Sequence, residues 1–165
     1  MLFCLILTSC NNKDSYLHYF DFDNLEYYHK DITEHDISIE YEKLKLDNYN
    51  REYLKIVESE YPVDLNNPEF ISNMIKFGYI KKLIKKEKFK KINLIFSKKP
   101  CNELTTTACM PIYSDVLVFK KEGKTVGIAK VCFRCRNAYL LGSKQNWDYF
   151  GEYGDYEKLE ALLNQ

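Results

Sequence analysis

Arginine is scarce in this chain of 165 residues: three of its 24 basic side chains are arginine and the rest are lysine. With so few planar guanidinium donors, and no aromatic pattern interleaved with the charges, the composition argues against nucleic acid as a partner. A glycine-rich phosphate loop is missing, and so is a nucleophile elbow, which leaves nucleotide and serine-hydrolase chemistry without a motif. No internal repeat and no low-complexity run is present, so solenoid and linker architectures are excluded. The three histidines, His18, His29 and His35, lack metal-ligand spacing and read as surface or half-buried side chains. The carboxylates Asp21, Asp23, Asp115 and Glu122 form no pair that sequence alone brings together, although Asp115 stands out inside an apolar run. Nothing here marks an enzyme, and binding without catalysis is the expectation.

What is present is aromatic and unevenly charged. Tyrosine occurs 14 times, and the formal net charge is zero. Residues 1–70 carry 15 acids and 6 bases, residues 71–100 carry ten lysines and one glutamate, and residues 101–165 balance at eight of each. Such blocks arise when two faces of one fold complement each other, or when a basic surface meets anionic lipid or another polyanion. The length suits one domain with a hydrophobic core.

The clearest structural signal lies between Cys109 and Cys135. Val116, Val118 and Phe119 form one β-branched and aromatic run, and Val126, Ile128, Val131 and Phe133 form another. Between them Gly123 tolerates positive φ, so residues 112–120 and 125–135 are predicted as a β-hairpin. With Glu122 and Gly123 at the tip, Lys121 pairs with Lys124, Tyr113 faces Cys132, and Cys109 comes close to Cys135. A bulge at Gly127 would shift that register by one residue and exchange the faces.

Helices are predicted near 47–61, with Tyr49, Tyr53, Ile56, Val57 and Tyr61 at helical spacing, near 68–77, opened by Pro68 and ended by Gly78, and near 153–163. The alternation of Ile37, Ile39 and Tyr41 predicts a strand, as does the apolar run 92–96. Residues 79–91 fit either a basic amphipathic helix or a lysine-protected sheet edge. Residues 137–150 read as a loop. Together these give an α+β fold, an antiparallel sheet packed by helices.

The amino terminus carries an address. An apolar run at residues 2–7 leads into Leu7-Thr8-Ser9-Cys10 and then into polar Asn11-Asn12-Lys13-Asp14. Residues 1–9 are read as a signal peptide, residues 10–15 as a modified cysteine and its tether, and residues 16–165 as one α+β domain. The run is short and no basic residue precedes it; a start codon upstream of Met1 would account for both. The alternative is a buried apolar strand ending in an ordinary cysteine.

Processing at Cys10 leaves Cys101, Cys109, Cys132 and Cys135. In an oxidising compartment four cysteines read as two disulfides, with three pairings open. A Cys101–Cys109 bridge would close the loop between Pro100 and Pro111. Cys132 and Cys135 cannot bridge within one extended strand, an objection that lapses if the chain turns after Phe133. Two alternatives stand beside structural disulfides: a zinc-stabilised binding module with all four cysteines as ligands, and a thiol–disulfide redox protein using Cys132 and Cys135.

The string Leu7-Thr8-Ser9-Cys10 resembles the lipobox of bacterial lipoproteins, whose cysteine is lipidated and becomes the first mature residue. Taken with Cys109, Pro111, Tyr113, Asp115, Cys132, Phe133, Cys135 and the helix after Tyr156, it resembles small uncharacterised lipoproteins of Bacteroidetes. The likeness covers residues 1–10 and the last third of the chain, and Ser114 stands where that family often has arginine. It implies acylation of Cys10, an outer-membrane address on the periplasmic or outer face, attachment to the membrane through the lipid, and an unknown protein or small-molecule partner. No cofactor is expected, with zinc at the four cysteines as the alternative.

Overall fold

The computed structural model describes residues 17–43, 48–100 and 108–164. Cys10, its tether and Cys101 lie outside the described residues. Among those described, a five-stranded antiparallel sheet of order β2-β1-β3-β4-β5 is packed by five α-helices, an α+β fold. The strands are β1 (Asn24–His29), β2 (Ile80–Lys82), β3 (Asp115–Lys121), β4 (Lys124–Cys132) and β5 (Asn137–Leu141). The helices are α1 (Glu34–Lys43), α2 (Asn48–Glu58), α3 (Phe70–Lys76), α4 (Phe89–Ile95) and α5 (Asp155–Leu163).

β3 is central because its apolar residues continue on both faces, as a strand covered on each side requires. Leu117 and Phe119 point to one core with Leu25, Tyr27, Ala129 and Val131, closed by Ile92 and Ile95 of α4 and by Tyr156 and Leu159 of α5. Val116 and Val118 point to the other core with Tyr28 and Ile128, closed by α1, α2 and α3 through Ile37, Ile56, Val57, Phe70 and Met74. Rings run through the first core in sequence: Phe20 stacks on Phe119 at 4.3 Å, Phe96 meets Phe119 edge-on at 5.1 Å, and Phe150 stacks on Phe96 at 5.0 Å.

The β3–β4 hairpin turns at Glu122 and Gly123, both at positive φ (51° and 79°), the turn whose twist matches the strands. Lys121 pairs with Lys124 and Lys120 with Thr125, but Phe119 then pairs with Gly127, so Val126 is the extra residue of a bulge. Gly127 is where Phe20 comes down on the sheet: a Cβ there would lie 2.2 Å from the Phe20 ring. The bulge therefore sets the faces on the long side of the hairpin, including those of Lys130 and Cys132.

Three segments differ from expectation. Residues 37–41 belong to α1, because Thr33 and Asp36 close a capping box: the Asp36 N–H donates to Thr33 Oγ1 at 3.2 Å, and the Thr33 N–H donates to Asp36 Oδ2 at 2.8 Å. Of the alternating trio only Ile37 is buried. Residues 92–95 are helical, since Ile92, Ile95 and Phe96 go inward at helical spacing while Leu94 stays exposed. Residues 137–141 form β5, an outer strand reached by a four-residue turn over 133–136.

The helices expected near 47–61, 68–77 and 153–163 are α2, α3 and α5, slightly shorter at their ends. Gly78 (φ 90°) closes α3, with its N–H donating to Ile75 O and the Tyr79 N–H to Met74 O, both at 3.0 Å. Residues 80–82 take the sheet-edge option as β2, exposed throughout. No described helix is long and apolar enough to cross a bilayer.

Candidate functional site

Sheet topology brings the carboxyl ends of β1 and β4 beside the amino end of β3. There β1 delivers His29, β3 delivers Asp115, and the β4–β5 turn delivers Cys135. The chain ahead of β3 runs alongside, so that Cys109 reaches Cys135 and forms a disulfide with a Cα–Cα distance of 5.6 Å. The chain turns immediately after Cys132, which frees Cys135 from the strand and lets it face Cys109 rather than its near neighbour. Cys132 remains a free, buried thiol whose sulfur accepts the Ile112 N–H at 3.4 Å. Tyr113, Cys132, Cys135 and Tyr139 make one small apolar cluster, with Cys109 half-buried against it.

Of the four cysteines predicted as disulfide or metal candidates, the structure joins Cys109 to Cys135 and leaves Cys132 apart; Cys101 lies outside the described residues. A sulfur in the Cys109–Cys135 bond is not a thiolate, so in this form neither is available as a zinc ligand. Among the described residues no three His, Cys, Asp or Glu side chains converge on a metal position.

Above the cysteines lies a polar chain that the sequence did not reveal. Asp115 is buried, and its Oδ1 accepts the Tyr27 hydroxyl at 2.5 Å and bonds His29 Nδ1 at 2.8 Å. His29 Nε2 in turn bonds the exposed Asp31 at 2.9 Å. Held between Asp115 and Asp31 by its two ring nitrogens, the imidazole has its ring plane fixed. Burial, reinforced by Asp115, holds the Tyr27 phenol well above its ordinary pKa, so it stays a donor. His29, Asp31 and Asp115 line a cleft of about 680 Å³, together with Glu34, Arg134, Glu160 and, at its buried side, Cys132. Arg134 is ion-paired to Glu34, so acids outnumber free cations around it.

Behind the cluster Lys130 is fully buried in β4. Its Nζ donates to Ser59 O at 2.5 Å and lies 4.4 Å from the Tyr113 ring centroid. Burial lowers its pKa from 10.5 to about 7, against a weaker opposing pull from Glu60. The Tyr113 phenol is pushed up to about 12, first by burial and then by Glu60. Its hydroxyl donates to Asn137 Oδ1 at 2.9 Å, and its carbonyl accepts the Tyr79 hydroxyl at 2.7 Å.

The only signal for Asp115 in the sequence was a carboxylate inside an apolar run; for Lys130 it was a lysine between Ala129 and Val131. Neither signal gives a partner, because Tyr27 and Ser59 are 88 and 71 residues away. The arrangement offers a fixed donor–acceptor chain in a cleft, and a covalent staple beneath it. The chain matches no protein-family model, no curated protein and no solved structure.

Proposed function

We propose that the protein is a lipid-anchored bacterial envelope protein, acylated at Cys10, whose α+β domain binds a partner without catalysing a reaction. The observation that carries this reading is the Cys109–Cys135 disulfide beside the lipobox-like Leu7-Thr8-Ser9-Cys10, since disulfides persist in oxidising compartments. Several acyl chains on one cysteine suffice for stable anchoring. The partner surface is the cleft at His29, Asp31 and Asp115, whose acids and fixed hydrogen-bond chain favour a ligand or protein segment presenting amine or guanidinium groups. The test is metabolic labelling with an alkyne fatty acid in a bacterial host. Label and membrane sedimentation should appear in the parent chain and vanish in Cys10→Ser; an unlabelled parent in the soluble fraction would end the proposal.

A second reading, thiol–disulfide exchange, rests on Cys132 sharing its cluster with the Cys109–Cys135 bond. The Cys132 thiolate would attack the Cys135 sulfur, forming Cys132–Cys135 and releasing Cys109 as the thiolate, with no external oxidant. Burial of Cys132 weighs against it, because reactive thiols are accessible ones. Alkylation of the native protein at Cys109 rather than nowhere would favour this reading.

A further inference from the structure

We propose that the lysine-rich strip running from β2 through α4 is a docking surface for an anionic phospholipid bilayer. Ile80 is 68 % exposed and Leu83 97 % exposed, so the Leu83 side chain has almost no contact with the fold. Single exposed leucines are ordinary on protein surfaces, but this one is bracketed by lysines at 81, 82, 85 and 86. On α4 the same composition returns: Lys90, Lys91 and Leu94 are exposed on the face opposite buried Ile92 and Ile95. Lys81 is ion-paired to Glu26 and Lys99 to Asp155, whereas Lys82, Lys85, Lys86, Lys90 and Lys91 are exposed. The acidic block of residues 1–70 reaches this strip at Lys81, and the exposed lysines beyond it turn their charge to solvent.

The route of the chain places the strip where a membrane would be. The Lys98 N–H donates to Leu17 O at 2.8 Å, and His18 Nδ1 bonds Asn93 O at 3.0 Å, so the chain enters the fold at the carboxyl end of α4. Cys10 lies seven residues before Leu17, an extended reach of about 25 Å. An acyl anchor there would hold the strip at the headgroups; to that extent the inference deepens the lipoprotein reading, while its charge and exposure stand without it. A bilayer fits better than another polyanion because protruding aliphatic side chains insert into the acyl boundary, whereas single-stranded nucleic acid is held by aromatic and guanidinium stacking. Each lysine near an anionic surface is worth about fivefold in binding, and sinking one leucine about tenfold or more.

The experiment uses the full chain carrying Cys10→Ser, which cannot be acylated, in cosedimentation with phosphatidylglycerol–phosphatidylcholine vesicles. Vesicles of phosphatidylcholine alone report any binding by the apolar residues 2–7 and set the baseline. Binding to the mixed vesicles should exceed that baseline at least tenfold and fall as salt rises. It should drop at least tenfold in Lys85→Glu/Lys86→Glu/Lys90→Glu and about tenfold in Leu83→Ser, with unchanged thermal midpoints. Equal binding by the parent and the charge-reversed variant would overturn the inference. So would binding that is indifferent to Leu83→Ser and displaced by a single-stranded oligonucleotide, which would mark a general polyanion site. Either failure leaves acylation of Cys10 untouched, because labelling of the parent chain reads that separately.

Discussion

Lys130 and Tyr113 meet inside the protein: the ammonium nitrogen sits 4.4 Å from the ring centroid and donates to the Ser59 carbonyl at 2.5 Å. That carbonyl also accepts the Tyr61 N–H at 2.8 Å, so it is satisfied without the lysine. The buried amine is consequently a cost that the fold carries at low pH.

The first prediction concerns pH. Lys130 has a folded pKa near 7 and an unfolded value near 10.5, so between those limits the unfolded chain binds the extra proton. Stability contributed by this group therefore rises as pH climbs from about 7 to 10.5 and is lowest below 7. Lys130→Met should abolish that part of the slope and stabilise the protein by about 1–3 kcal/mol at pH 6. Urea unfolding of both proteins at pH 6 and pH 9.5 measures the difference; parallel profiles would show that the amine is solvated.

The second concerns the Tyr27–Asp115 pair, buried at 2.5 Å. Tyr27→Phe should cost about 1–3 kcal/mol, because it removes a charge-assisted bond and leaves Asp115 with His29 alone. Asp115→Asn should cost a similar amount, and the double variant less than the sum, with coupling of about 0.5–3 kcal/mol. Additive losses in the double-mutant cycle would mean that the two side chains do not act together.

Gly127 supplies a third. Its absent Cβ is the space occupied by Phe20, at 2.2 Å, so Gly127→Ala should destabilise by about 1–3 kcal/mol through overpacking. Phe20→Leu, harmful by itself, should be less harmful in the Gly127→Ala background. Thermal unfolding of the two single variants and the double variant tests this.

A fourth follows from the staple. Cys109 and Cys135 are 26 residues apart in sequence. Chain-entropy arithmetic for a loop of that size gives about 3.5 kcal/mol lost in Cys109→Ser/Cys135→Ser or on reduction. In the oxidised protein Cys132 should resist alkylation until the fold is denatured, since it is buried beneath Ile112. Rapid native labelling of Cys132 would contradict this placement.

Much of the fold was legible because local chemistry and tertiary role agreed. Glu122-Gly123 made a turn that only one kind of hairpin uses, and Gly78 stopped a helix where a glycine is needed. Ile37 to Tyr41 misled because the alternation that suggests a strand was outweighed by the Thr33–Asp36 capping box, a signal of two residues. The run 92–96 is apolar enough for either structure, and only the exposure of Leu94 separates them. β5 was hidden because a short outer strand has little pattern of its own and is defined by pairing with β4. At the candidate site, the unbulged hairpin register placed Cys109 near Cys135; the observed hairpin is bulged, and the turn over 133–136 makes the contact. The partners of Asp115 and Lys130 were not legible, since they come from sequence-distant elements brought in by topology.

The intact mass of the protein extracted from bacterial membranes tests the proposed envelope address most directly. The predicted mass lacks residues 1–9 and carries the added mass of a diacylglyceryl group and further acylation on Cys10. A mass that begins at Met1 with no acyl addition would contradict it.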